Sequence, residues 1–154
     1  MCRGEAVRLP ARQQQRYFVL RDRWRLRRGP DAQALRDLEQ RAAAQTDGLD
    51  LRWMLHDLLQ AGACGSASRI ADSWWHGLPA ATAYRELRVA ADLRAHAAAC
   101  QGRWGAAIDA EQDLLARVAA SGMIAANQSR ERQRLQRVIA ALGQQRIPGQ
   151  IRAF

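Results

Sequence analysis

His96 and Cys100 stand four residues apart in HAAAC, a spacing that brings two metal-ligating side chains to one face of a helix. A zinc site would need two more donors, and His56 and Cys64 are the candidates. No paired CxxC arrangement supports that reading, and a cysteine among alanines serves equally well as a small buried hydrophobe, so no metal is expected. Cys64 also lies in the small-residue stretch GACGSAS, where an exposed thiol could attack a carbonyl. A cysteine nucleophile needs a base, and no neighbouring histidine motif supplies one. Asp72 and His76, four apart beside Trp74 and Trp75, could pair an acid with an imidazole or simply occupy a solvated helix face. The two tryptophans read as one core anchor and one surface anchor. A GxSxG elbow, a P-loop, an HExxH pair and an acidic magnesium cluster are all lacking. The residues that could do chemistry therefore imply neither an enzyme nor a cofactor.

What remains is arginine. All 24 basic side chains are arginine and lysine is absent, which reads as a GC-rich bacterial or phage genome and also suits bidentate recognition of carboxylates and phosphates. Residues 1–30 hold nine arginines against Glu5 and Asp22, net +7; residues 31–124 hold nine against twelve acids, net −3; residues 125–154 hold six against Glu131, net +5. Two basic ends flanking a mildly acidic middle imply an acidic partner. Arg23, Arg25, Arg27 and Arg28 around Trp24 could grip phosphates while the indole stacks on a base, which keeps a helical nucleic-acid-binding protein as the alternative. The acids of the centre argue against a continuous nucleic-acid track.

At 154 residues, 48% hydrophobic and 25% charged, the chain has the length of one domain with a self-sufficient core. Its excess of alanine and leucine favours helix over sheet. Cys2, Cys64 and Cys100 are odd in number and far apart, as expected of reduced thiols. The first ten residues are too polar for a secretory leader and no stretch is long and apolar enough to span a membrane, so a cytoplasmic location is expected.

Glycine and proline breaks divide the chain into segments of helical length near 12–28, 32–45, 50–61, 66–76, 80–100, 105–120 and 124–142. Asp50 is a plausible N-cap, followed by the stripe Leu51, Met54, Leu55 and Leu58. Ala67, Ile70, Ala71 and Trp74 form a second stripe and Trp104, Ile108, Leu115 and Val118 a third. Leu135, Val138, Ile139 and Leu142 form the last, leaving Arg130, Arg132, Arg134 and Arg137 for solvent. The 80–100 segment is apolar over a wide arc and should be central. The organisation expected is a basic arm over 1–11, one helical domain over 12–144 and an irregular tail over 145–154.

Three breaks share a pattern: Gly29-PDAQ-Ala34, Gly62-ACGS-Ala67 and Gly102-RWGA-Ala107, with the glycines 33 and 40 residues apart. Over about residues 12–120 this resembles the tetratricopeptide repeat, of about 34 residues, in which a glycine ends the first helix and a small residue lets the second pack closely. Pro79 falls where that family's closing proline falls. The resemblance implies an all-α fold of antiparallel helix hairpins stacked as a short superhelix, with an irregular helical bundle as the other possibility. Under it, Tyr17, Leu20 and Trp24 of RYFVLRDRWRLRRG pack inward. The stretch QRYFVLRD also resembles the strand opening of pleckstrin homology domains, which requires further strands that the sequence does not offer. The repeat implies a non-enzymatic interaction module, an adaptor or chaperone-like protein of the kind found beside secretion systems. Its groove would take a partner protein's acidic or amphipathic segment. Groove-facing positions would be Arg16, Arg23, Arg27, Arg52, Trp53, His56, Arg88 and Arg94, with guanidiniums fixing carboxylates and Trp53 as the anchor.

Overall fold

Short runs of glycine, proline and aspartate cut the chain into seven α-helices in the computed structural model, which describes residues 10–28, 31–45 and 47–151. Within the first helix the side chains of residues 11, 12, 15, 16, 19, 23, 24, 26 and 27 fall outside that description, as does most of the basic arm. The helices are α1 (Ala11–Arg28), α2 (Ala32–Ala44), α3 (Gly48–Gln60), α4 (Cys64–Gly77), α5 (Tyr84–Cys100), α6 (Trp104–Arg117) and α7 (Ala125–Gly143). The described residues contain no strand, so the all-α expectation holds and the opening of a strand pair in RYFVLRDRWRLRRG does not. None of these helices is long and apolar enough to cross a membrane.

Local chemistry sets the boundaries. The Asp31 carboxylate accepts from the backbone N–H groups of Gln33 and Ala34, and Asp47 accepts from those of Leu49 and Asp50, so two helices begin on capped N-termini. Asp47, rather than Asp50, is thus the cap of α3. At the other end of α3 and of α5, the chain turns through glycine. Gly62 and Gly102 have φ of +76° and +71°, a region open to glycine at little cost. Both turns close identically: Ala63 N–H donates to Leu58 O at 2.9 Å and Arg103 N–H to Ala98 O at 3.0 Å, the bonding of a Schellman motif. Ala34, Ala67 and Ala107, the small residues of the three aligned breaks, are all fully buried. Gly29 itself lies outside the described residues.

Successive helices pack on each other, and α3 also packs on α5. Three apolar clusters result. The first joins α2, α3, α4 and α5 around Leu38, Met54, Leu55, Leu58 and Leu93; the second joins α5, α6, α7 and the tail around Ala98, Ala110, Val138 and Ile151. The third sets Leu87 and Ala91 against Leu114, Val118 and Leu135. The stripe read on α3 is fully inside. On α6 the buried face is Ala107, Ala110, Glu111 and Leu114, so Trp104, Ile108 and Leu115 sit on its edge. Trp74 and Trp75 are both half-buried, against the first and third clusters, instead of dividing into core and surface. The stretch after α7 lacks helix, as read, but packs: Ile147 and Ile151 join the second cluster.

Helix α1 differs from expectation. Tyr17 and Leu20 are 58% and 62% exposed, and the residue at the α1–α2 seam is Asp22, fully buried. Its carboxylate meets Arg21 at 2.8 Å and Arg41 at 3.3 Å, while both guanidiniums lie over the Phe18 ring at 5.0 and 4.5 Å. Ion pairing and cation–π contact hold this seam where inward packing of Tyr17 and Leu20 was expected, and the Trp24 side chain lies outside the described residues.

The cysteines also correct the sequence reading. Cys64 opens α4, Cys100 ends α5, and the two are joined as a disulfide with Cα atoms 5.8 Å apart. Antiparallel packing of α4 on α5 brings together residues 36 apart in sequence, a pairing that spacing alone hides. The thiol-based argument for a reducing compartment therefore fails. Closing a loop of this length restricts the unfolded chain by about 3–4 kcal/mol. Reduction, or the Cys64→Ser, Cys100→Ser double variant, is expected to lower the unfolding free energy by about 3 kcal/mol in urea denaturation. An unchanged midpoint would show that the bond constrains nothing.

Candidate functional site

Residues 85, 88, 89, 92 and 93 recur at i, i+3, i+4, i+7 and i+8 along α5, so Arg85, Arg88, Val89, Asp92 and Leu93 form one stripe. Opposite lie Arg52, Trp53 and His56 of α3, and Gln150 and Ile151 of the tail close one end. Together these residues line a cleft of about 230 Å³. Four residues singled out from the sequence, Arg52, Trp53, His56 and Arg88, thus meet in one place. Arg94 does not join them. It points to the other side of α5 and bridges Asp72 and Asp113, each at 2.6 Å. Arg16, Arg23 and Arg27 lie on α1 with side chains outside the described residues.

Trp53 is 43% exposed with the Arg52 guanidinium 5.7 Å from its ring centre. The His56 ring stands edge-on to Trp53 with centroids 6.4 Å apart. Both imidazole nitrogens are buried without a hydrogen bond, Nδ1 lying 3.5 Å from Asp57 Oδ1. Arg88 reaches Asp92 and Glu131 at 3.7 Å each, a loose embrace that leaves its side chain 43% exposed. Arg85 is exposed. The site therefore offers three guanidiniums around one indole, with Val89, Leu93 and Ile151 as apolar floor: chemistry suited to a carboxylate beside a hydrophobic group.

Beneath the cleft runs a buried polar network that the sequence reading missed. Arg134, expected in solvent, is buried and donates to Glu131 at 2.9 Å and to Asp92 at 3.3 Å. Tyr84 donates to Glu131 at 3.1 Å. Glu111 on α6 is fully buried, and neither of its oxygens accepts a hydrogen bond from a protein donor. It faces Asp92, and two carboxyls in contact form a hydrogen bond only when one carries a proton. Burial first, and the Asp92 charge second, push the Glu111 carboxyl up to about 9. Burial also raises Asp92, against the lowering pull of Arg134 and Arg88. Glu111 is thus the neutral member of the pair at pH 7.

The other chemistry-bearing candidates are engaged elsewhere. Cys64 and Cys100 are bonded to each other. His76 Nδ1 lies 2.7 Å from the Asp72 backbone carbonyl while the Asp72 carboxylate serves Arg94, so no acid orients that imidazole. Among the described residues no group of three or more His, Cys, Asp and Glu side chains is arranged to hold a metal ion. A second, wider groove of about 700 Å³ runs between α2 and α4, and its rims carry Glu39 and Glu86 against Arg69.

Of the cleft residues missed from sequence, Arg85 and Asp92 were within reach, since they share the helical stripe of Arg88. Gln150 and Ile151 carried no signal. No family model matches the chain, and neither curated proteins nor solved structures yield a significant match.

The raised Glu111 carboxyl makes stability depend on pH with a definite sign. Its proton is held more tightly in the folded state than at the ordinary value of 4.5, so stability is fullest below about 4.5 and declines as pH rises toward about 9. Glu111→Gln keeps the shape and has no proton to lose. It is expected to flatten that decline and to raise stability at pH 8 by on the order of 2 kcal/mol in urea titrations. Parallel pH profiles for variant and wild type would refute the neutral carboxyl.

Proposed function

We propose that this chain is a non-enzymatic interaction module that binds an acidic, partly apolar segment of a partner protein in the cleft between α3 and α5. One observation carries the reading: Arg52, Trp53, His56 and Arg88, which the repeat pattern assigns to first helices of successive hairpins, line a single cleft, together with Arg85. The two Schellman turns of like geometry and the buried alanines that follow them support stacked, tetratricopeptide-like hairpins. In this reading the guanidiniums clamp carboxylates, and Trp53, half exposed in the free protein, becomes buried on binding. The adaptor or chaperone-like role follows from that capture. The nucleic-acid alternative depends on the basic termini, where residues 1–9 and 152–154 lie outside the described residues.

Calorimetry with a hexapeptide of alternating glutamate and leucine, blocked at both ends, tests the assignment. Trp53→Ala is expected to weaken binding by about 2 kcal/mol, some thirtyfold, the size of an interface hot spot. Arg69→Ala, in the other groove, should leave it unchanged. Equal affinity in wild type and Trp53→Ala would remove the cleft from consideration. Should the peptide fail to bind while a DNA oligomer binds with a steep salt dependence, the nucleic-acid reading takes its place.

A further inference from the structure

Arg88 belongs to two sites at once. It lines the cleft, and it is also a counter-ion to Asp92 and Glu131 in the network beneath, at 3.7 Å from each. The groups around Glu111 can be counted. Asp92 of α5 and Glu131 and Arg134 of α7 act on it directly, while Arg88 and Tyr84 of α5 bond Asp92 or Glu131 in the same network. On α6 itself, the neighbouring Asp113 pairs outward with Arg94. Three carboxyls, Asp92, Glu111 and Glu131, are thus served by two guanidiniums, and one negative charge is in excess. A proton between Asp92 and Glu111 cancels it.

We propose that capture of an anion in the cleft is linked to the proton shared by Asp92 and Glu111, so that the cleft binds carboxylates more tightly when this pair is protonated. The inference rests on the cleft being the partner site proposed above. An incoming carboxylate takes up the charge of Arg88, and the two buried carboxyls lose part of the field that offsets their repulsion. The pair then holds its proton more firmly than in the free protein. Binding and protonation support each other, as reciprocity requires. Conversely, once Glu111 ionises, a second negative charge stands behind Asp92 and repels the ligand.

The free protein holds the Glu111 proton up to about pH 9. Anion affinity is full below that value and falls as pH rises through it. The sequence contains no lysine, and arginines keep their charge throughout, so the usual cause of anion release at alkaline pH is missing from this chain.

The blocked glutamate–leucine hexapeptide, whose charge is constant above neutrality, is titrated by calorimetry into wild type, Glu111→Gln and Arg69→Ala between pH 7.5 and 10, with circular dichroism confirming that each stays folded. Wild type and Arg69→Ala are expected to lose affinity about fivefold by pH 10, as follows from a rise of about one unit in the proton affinity of the pair on binding. Glu111→Gln should bind at every pH as wild type does at pH 7.5. Asp92→Asn supplies a second variant, in which loss of the Asp92 charge moves the dependence to lower pH, should Glu111→Gln fold poorly. If the peptide binds and wild type and Glu111→Gln follow the same pH profile, the linkage is wrong and the cleft assignment stands. If the peptide binds to neither at any pH, the cleft assignment falls and the linkage with it.

Discussion

Helix α5 has to be covered on almost every side, and this demand shapes the rest of the molecule. It contributes Leu93 and Ala97 to the first apolar cluster, Ala95, Ala98 and Ala99 to the second, and Leu87 and Ala91 to the third. Four neighbours cannot approach one helix closely if its packed faces carry large side chains, and those faces are accordingly rich in alanine. Enlarging any of these positions would push a neighbouring helix outward, since close-packed interiors absorb extra methylenes poorly. Along the stripe from Arg85 to Leu93 the cover is incomplete: Arg85 is exposed, and Arg88, Val89 and Asp92 are only partly buried. The cleft is therefore what remains of α5 once its packing obligations to α3, α4, α6 and α7 are met.

The same helix brings charge inside. Asp92 lies at the boundary between cleft and core, where its carboxylate needs partners, and α7 answers with Arg134. A buried ion pair adds little to stability, because desolvation offsets the attraction, but breaking one is costly. Its effect is on register: α7 can sit over α5 only where Arg134 reaches Asp92. Glu111 adds a carboxyl with no third cation to meet it. The interior accommodates this by keeping the group neutral, which is cheaper than burying an unpaired charge.

Much of this architecture was legible because it rests on local rules. Glycines at positive φ and alanines five positions on mark the hairpins, and the leucine stripe of α3 fixes its inward face. Aligning the hairpins placed Arg52, Trp53, His56 and Arg88 on a common surface. What was not legible depends on the partner helix. Arg134 and Glu111 occupy inward positions of α7 and α6, yet a polar residue at such a position reads as an interruption of the stripe until its counter-group is known. The inward face of α1 was misread for the same reason: Asp22 is buried only because Arg21 and Arg41 converge on it. Arg94 falls in the groove by the repeat pattern alone, yet six residues along α5 turn its direction about 120° from that of Arg88. The disulfide and the return of Ile151 to the core are long-range events with no local mark.

Between the two grooves, preorganisation favours the smaller as the carboxylate site. The α4–α5 hairpin is closed at one end by the short 78–83 linker and at the other by the Cys64–Cys100 bond, so the backbone that carries Arg85 and Arg88 is held at both ends. The arginines themselves are partly ordered before any ligand arrives, Arg52 over the Trp53 ring and Arg88 between Asp92 and Glu131. Ordering a long side chain on binding costs about 0.5–1.5 kcal/mol, and part of that cost has already been met during folding. The contacts of Arg88 are nevertheless long, at 3.7 Å, so exchanging them for a ligand carboxylate at hydrogen-bonding distance loses little. The wider groove offers a carboxylate the opposite field, with Glu39 and Glu86 on its rims. Charge and rigidity thus point to the same surface, the one that the packing of α5 leaves open.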